Sequence, residues 1–134
     1  MGKEKPKILF AEEDRDLAES IERFLSGMGY EVNIVYDGAQ ALVAFEQNRY
    51  SLIVLSENLS RVSTENVVRS LKKASSAPIL LISEKNFSEK ISRDFGYSEA
   101  IFCPFTAAEF KEKIERLINE SAPTNGKKDE ENKL

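Results

Sequence analysis

Residues 50–60 read YSLIVLSENLS, and this stretch decides the fold. The four consecutive apolar residues at 52–55 are typical of a parallel strand that is buried on both faces of its sheet. The polar residues Ser56, Glu57 and Asn58 then end the apolar run abruptly. In open α/β sheets, the residue after such a strand lies at the edge where ligands bind. The chemistry available to Ser56 therefore bears directly on function.

Strand-like and helix-like segments alternate along the rest of the chain. Apolar runs predict five strands, which span residues 7–11, 31–36, 51–55, 78–82 and 99–102. Apolar residues at helical spacing predict a helix after each strand, and the fourth of these is a short helix around residues 87–95. Helix ends are marked by an N-cap at Asp14, capping boxes at Asp37–Gln40 and Thr106–Glu109, and a C-terminal glycine at Gly29.

Five strand–helix units within about 120 residues define the fold class. They predict a doubly wound, three-layer α/β sandwich with a flavodoxin-like parallel sheet in strand order 2-1-3-4-5. Residues 1–120 form this domain. The polar segment 121–134 cannot bury enough apolar surface to offset its ordering entropy, so we expect a disordered tail or linker there.

Composition excludes several classes of function. A formal net charge of −4 leaves no positive excess for general nucleic-acid binding. The absence of histidine removes histidine triads and histidine metal sites, and a single cysteine cannot form an internal disulfide. No apolar run approaches the roughly 20 residues that a membrane helix needs, and the charged N-terminus is not a signal peptide. We expect a cytoplasmic protein.

The residues that follow the strands converge if the sheet is parallel. They are Glu12 and Glu13 after the first strand, Ser56 after the third, Ser83 after the fourth and Cys103 after the fifth.

The chain resembles a response-regulator receiver domain of the CheY-like type. The segments that carry the resemblance are ILFAEEDRDLAESIERFL, YDGAQALVAFEQNRYSLIVL, APILLISEKN and GYSEAIFCPF. The resemblance implies a phosphorylation switch in two-component or phosphorelay signalling. In that family an acidic pair holds Mg²⁺, an aspartate accepts the phosphoryl group, and a hydroxyl, a lysine and a switch aromatic respond to it.

Transferred to this chain, the family pattern is degenerate. The acidic pair falls on Glu12 and Glu13, and the hydroxyl on Ser83. The acceptor falls on Ser56, the lysine falls on Cys103 and the switch aromatic falls on Ala100. The family also implies a cis peptide bond between Cys103 and Pro104.

These departures predict a pseudo-receiver that is not an enzyme. A serine hydroxyl has no charge at neutral pH and requires a base before it can act as a nucleophile. Glu12 and Glu13 alone should bind magnesium weakly or not at all, so we expect no cofactor. Replacement of the lysine by Cys103 removes the cation that would stabilise a phosphoryl oxygen. Because one negative and one positive group are both lost, we expect the net charge of the crevice to be unchanged.

Simpler roles compete at each position. Glu12 and Glu13 are either weak cation ligands or solvated charges at a helix start. Ser56 is either a polar residue at a strand end or a target of a serine kinase. Cys103 is a poor redox sensor, because neighbouring Glu12 and Glu13 should raise its pKa. We expect the Glu57 side chain to point away from the crevice, since side chains alternate along a strand.

The remaining prediction is a protein-interaction module. Receiver domains commonly pair or dock through their fourth helix, fifth strand and fifth helix, so protein partners are expected there, with no nucleic acid or membrane partner. The sequence leaves the oligomeric state open. Two alternatives are a phospho-receiver with an unorthodox acceptor and a small-ligand or nucleotide sensor, although no glycine-rich phosphate loop follows the first strand.

Overall fold

A parallel sheet of five strands in the order β2-β1-β3-β4-β5 forms the centre of the protein, in a computed structural model that describes residues 5–84 and 97–121. The strands are β1 (Lys7–Ala11), β2 (Glu31–Val35), β3 (Leu52–Ser56), β4 (Ile79–Ser83) and β5 (Glu99–Phe102). The described helices are α1 (Arg15–Gly27), α2 (Gly38–Gln47), α3 (Thr64–Ala74) and α4 (Ala107–Ser121). The helix predicted around residues 87–95 lies outside the described residues.

The helices cover both faces of the sheet, so the predicted three-layer architecture and strand order are confirmed. Alternate strand residues such as Leu9 and Ile53 pack against α2 and α3. Their neighbours, such as Ile8 and Phe10, pack against α1 and α4. This period of two places most strand residues in one of two cores, which explains why β1, β3 and β4 are mainly apolar. No described helix has the length and apolar character that crossing a membrane requires.

Two strands end one residue later than predicted. Ser56 is the last residue of β3 and lies opposite Ile82, and Ser83 is the last residue of β4 and lies opposite Phe102. The parallel ladder continues through both serines because its backbone bonds do not depend on side-chain polarity. β2, by contrast, ends one residue early, at Val35. The serines are therefore fixed by the sheet itself.

The predicted helix ends are found with one difference. The side chain of Asp14 accepts from the N–H groups of Asp16 and Leu17, and Gly29 has a positive φ of 98°. Thr106 and Glu109 form a reciprocal capping box with both bonds at 3.0 Å.

At α2, Asp37 accepts from the Gln40 N–H at 2.8 Å. The Gln40 side chain, however, accepts from the N–H of Tyr36 rather than from that of Asp37. The reciprocal hydrogen bond of this capping box therefore comes from the residue before the N-cap rather than from the N-cap itself.

Candidate functional site

The carboxyl ends of β1, β3, β4 and β5 form one crevice, as parallel strands require. The N–H of Cys103 donates to the carbonyl of Ser83 at 2.8 Å, which ties the end of β5 to that of β4. The N–H of Glu57 donates to the carbonyl of Ile82 at 3.0 Å and ties β3 to β4 in the same way. The backbone thus brings together the strand-end residues that the sequence singled out.

Glu12 is a buried carboxylate at the floor of the crevice. Its side chain belongs to a residue only 8% exposed, so the alternative of a solvated surface charge is wrong at this position. Oε1 accepts a hydrogen bond from the hydroxyl of Ser56, and Oε2 accepts from the N–H of Asp14 at 2.9 Å. A buried carboxylate is costly unless hydrogen-bonded, and here the Ser56 hydroxyl is one of the donors that stabilise it.

Glu13, in contrast, is exposed and points to the loop after β3. Its Oε2 accepts from the backbone N–H of Ser60. The carbonyl of Ser60 accepts from the N–H of Gly38 at 3.0 Å, and Arg61 forms an ion pair with Asp37 at 3.5 Å. Glu12 therefore bonds to Ser56 at the end of β3, whereas Glu13 bonds to the loop that follows. Glu13 and Gly38 hold this loop from its two sides.

A threonine that the sequence did not single out organises the same loop. The hydroxyl of Thr64 donates to the carbonyl of Ser56 at 2.8 Å and accepts from the N–H of Leu59 at 3.0 Å. Asn58 and Arg61 both have positive φ, at 67° and 69°. The adjacent hydroxyls at 63 and 64 were the available signal: Ser63 caps α3, which leaves Thr64 to bond inward.

Glu57 lies in the crevice, and the expectation that it points away is wrong. Its Oε1 accepts from the hydroxyl of Ser83 and from the N–H of Glu84 at 3.1 Å. Alternation along a strand fixes only the direction of Cβ. A glutamate has three rotatable side-chain bonds, enough to carry its carboxylate from the end of β3 across to the end of β4.

Within the described residues, Glu57 adds a carboxylate to the crevice that the expectation of an unchanged net charge did not include. Burial raises the pKa of the Cys103 thiol, and the charges of Glu84, Glu12 and Glu57 raise it further. Glu13 is not among these causes, since its carboxylate is turned to the loop. The pKa of Cys103 is raised, as expected, and Glu12 contributes as expected. Glu84 and Glu57 contribute in place of Glu13.

Ala100 lies apart from the crevice. It sits within β5, opposite Leu81, and packs partly buried against the core beneath α2 and α3. A methyl group there has no alternative rotamer with which to signal. The peptide bond between Cys103 and Pro104 is cis, as the resemblance implied.

The acidic groups do not converge on one point in space. Across residues 5–84 and 97–121, no cluster of three or more acidic or cysteine side chains is arranged to hold a metal ion. Glu12 bonds to Ser56 and Asp14, and Glu13 bonds to Ser60. In this arrangement the pair does not fit a magnesium site, which needs several oxygen ligands in octahedral geometry.

Comparisons with known proteins agree with this architecture. Residues 8–115 match the response regulator receiver domain family. The chain is 29% identical over 121 residues to the response regulator ArlR of Staphylococcus saprophyticus. The aligned region covers 89% of this chain and 55% of that protein. It is 30% identical over 123 residues to the response regulator MprA of a Mycobacterium species, with 90% and 54% covered. The chain thus spans about half the length of these curated relatives.

Solved structures show the same fold. The receiver domain of a signal transduction histidine kinase from Syntrophus aciditrophicus superposes with a TM-score of 0.80 at 21% identity, covering 90% of this chain and 96% of that one. The receiver domain of a sensor histidine kinase from Pseudomonas aeruginosa, solved with a magnesium ion coordinated in its active-site cleft, gives a TM-score of 0.77 at 24% identity, with 86% and 98% covered.

The chain therefore belongs to the response regulator receiver domain family. It is a signal-transduction domain of the two-component type, a class that interacts with proteins such as kinases and effectors.

Proposed function

We propose that this domain is a pseudo-receiver, a cytoplasmic signalling module that is not phosphorylated on aspartate and acts through protein–protein contacts. The observation that carries the proposal is the bond between Ser56 and Glu12. The residue at the acceptor position is a neutral hydroxyl, and it is used as a donor to a buried carboxylate. Phosphoryl transfer to this oxygen would give a phosphoserine ester rather than the family's acyl phosphate, and the hydroxyl proton would have to pass to Glu12, the acceptor of its hydrogen bond.

The charges in the crevice support the same proposal. An incoming phosphoryl group needs positive charge from a metal ion or a side chain. Among the described residues it would meet Glu12 and Glu57, together with a Cys103 thiol whose pKa is raised and which is therefore neutral at pH 7. We propose that magnesium binds weakly or not at all, because each carboxylate already accepts from protein donors.

A direct test is incubation of the chain with acetyl phosphate and Mg²⁺, followed by intact mass spectrometry. The expected result is no mass increase under conditions that phosphorylate a receiver domain carrying the acceptor aspartate. An added phosphate that hydroxylamine removes would be an acyl phosphate and would refute the proposal.

One observation favours a second candidate, a phospho-receiver with an unorthodox acceptor. The carboxylate of Glu57 lies in the crevice and bonds to Ser83. A labile phosphate that disappears in the Glu57→Gln variant would identify this residue as the acceptor. A phosphate stable to hydroxylamine and lost in Ser56→Ala would instead indicate a serine kinase target.

For the protein contacts, we propose the face formed by β5 and α4; the predicted fourth helix of the expected docking face lies outside the described residues. Glu99 on β5 is bound by Lys113 and by Arg116, the latter through two bonds of 2.8 and 3.0 Å. These bonds fix the register of α4 on the sheet edge and give the face a defined shape.

Charge reversal tests this surface. Lys111 is exposed on α4, and Lys72 is exposed on α3, on the opposite face of the sheet. Capture of a partner by the full chain should be lost in Lys111→Glu and retained in Lys72→Glu. Equal capture by both variants would refute this face as the docking surface.

A further inference from the structure

The strand β2 forms one edge of the sheet, and one side of its backbone faces outward. Within the described residues, β2 pairs only with β1. The N–H of Glu31 donates to Pro6 at 2.9 Å and the carbonyl of Val35 accepts from Glu12 at 3.1 Å, so these residues direct their backbone groups toward β1. Because backbone groups alternate along a strand, those of Val32 and Ile34 point away from the sheet.

This edge lacks the features that protect exposed strands. Proteins usually protect an edge with proline, with lysine or with a bulge. The sequence of β2 is EVNIV, and its register with β1 is regular over all five residues. Its one charged residue, Glu31, forms an ion pair with Lys7 at 3.7 Å. The edge is therefore able to pair with another strand.

An uncharged groove of about 410 Å³ runs beside this edge, between β2 and α2. Asn33 and Val35 line it from the strand, Val43 lines it from the helix, and none of its lining residues is charged. Val43 is 54% exposed, and α2 carries a single charged residue, Glu46. A surface helix normally presents several charged residues on its outer face, whereas the exposed positions of α2 hold Val43, two glutamines and only one charged residue, Glu46. This low charge is compatible with a further packing partner.

We propose that β2 and α2 form a homodimer interface, in which β2 pairs antiparallel with β2 of a second copy around a two-fold axis at Asn33. In this register Val32 of each copy lies opposite Ile34 of the other, and their outward backbone groups exchange hydrogen bonds. The two sheets become one continuous sheet. Both α2 helices then lie on the same face, with Val43 of each copy directed to the shared groove.

Symmetry and charge favour a second copy over a foreign strand. A two-fold interface requires a self-complementary patch, and this register pairs apolar residues with apolar residues. The chain has a net charge of −4, so two copies can approach only where charge is low, and this groove is neutral. The two Glu31 residues would lie about 13 Å apart along the strands, beyond the screening length of about 8 Å at physiological salt.

The test is sedimentation equilibrium of the full chain over a range of concentrations, with two matched variants. Val43→Glu places like charges across the axis, whereas Leu17→Glu makes the same kind of change at an exposed position on α1, on the other face. We expect reversible dimerisation by the wild type and by Leu17→Glu. In Val43→Glu the dissociation constant should rise at least about tenfold. Circular dichroism checks that both variants are folded.

Hydrogen exchange locates the interface independently of any variant. Amide protection of Val32 and Ile34 should rise with protein concentration, whereas that of Asn33, which bonds to β1, should not change. A wild-type chain that remains monomeric overturns the inference, as does a dimer unaffected by Val43→Glu or one whose concentration-dependent protection lies elsewhere. None of these outcomes affects the proposal for the crevice, which is tested by phosphorylation.

Discussion

Replacing Ser56 by aspartate places a carboxylate at the position that the family resemblance assigns to the acceptor, and tests the physical reasoning about the crevice. In the native chain the Ser56 hydroxyl donates to the buried carboxylate of Glu12. The Ser56→Asp variant would replace that donor with a second carboxylate. Two unit charges about 4 Å apart at an effective dielectric constant near 20 repel each other by roughly 4 kcal/mol.

The new aspartate can escape this repulsion by staying protonated. Keeping a carboxyl with an ordinary pKa of about 3.9 neutral at pH 7 costs about 4 kcal/mol, so both routes give a similar penalty. We expect Ser56→Asp to lower the free energy of unfolding by about 3–4 kcal/mol at pH 7. The pKa of the new aspartate is raised in the folded state. The loss of stability is therefore present above the unfolded-state pKa of this group, and it shrinks as the pH falls toward 4.

Urea unfolding at pH 7 and pH 4 measures this penalty, with Ser56→Asn as the matched neutral control. Asparagine has the shape of aspartate and retains a donor for Glu12, so its cost should be similar at both pH values. Magnesium should recover part of the loss in Ser56→Asp, about 2.7 kcal/mol at 100 times its dissociation constant, and leave the wild type unchanged. Equal stability of the two variants at pH 7 would show that the two carboxyl groups do not interact, and would refute the argument.

Three further perturbations test other parts of the structure. Glu99 has a pKa lowered to about 2 by its bonds to two cations, so its contribution to stability is present above the unfolded-state pKa and is lost as the pH falls through 2. Because Lys113 and Arg116 are partly solvated, Glu99→Gln should cost about 1–2 kcal/mol at pH 7 in thermal unfolding. Glu112 is the more exposed partner of Arg116 and lies on α4, so Glu112→Gln should cost under about 0.5 kcal/mol. Gly38→Ala places a methyl group against the backbone carbonyl of Val62 and should lower the free energy of unfolding by more than about 2 kcal/mol in urea, whereas Gly27→Ala, with open space around it, should be neutral or stabilising. The thiol of Cys103 should react with iodoacetamide several-fold more slowly at pH 7.5 than an unfolded control, with the rate rising as the pH passes its raised pKa, and a rate equal to that of the control would contradict the burial.

Most of the fold was predictable because its signals are local and redundant. The apolar runs at 52–55 and 79–82 describe strands buried on both faces, and helix caps such as Asp14 and Thr106 separate the elements. Parallel connections then leave few topologies, and the strand order follows. The exact strand ends were not predictable, because ladder bonds continue through Ser56 and Ser83 regardless of their side chains.

The interior of the candidate site was less predictable, because it depends on side-chain rotamers at strand ends. The position of Glu57 shows this limit clearly. Its backbone N–H donates to the carbonyl of Ile82 on β4, and its carboxylate accepts from the hydroxyl of Ser83, the next residue of the same strand. Periodicity predicts the face of the sheet to which the Cβ atom points. It does not predict which donor the terminal carboxylate of a long side chain will bind.

The position of Glu57 also changes how the crevice should be understood. In a receiver that switches, a hydroxyl at the end of β4 responds when negative charge arrives at the end of β3. Here the hydroxyl of Ser83 already donates to a carboxylate from the end of β3. Under the pseudo-receiver proposal, the Glu57 carboxylate takes the place of the transient charge on a phosphorylated acceptor. The loop beyond it is held by Glu13 and Gly38 on its two sides. This arrangement favours a single fixed conformation. Removing that charge with Glu57→Gln should therefore change the chemical shifts of the β4–β5 edge more than phosphorylating conditions change those of the wild type.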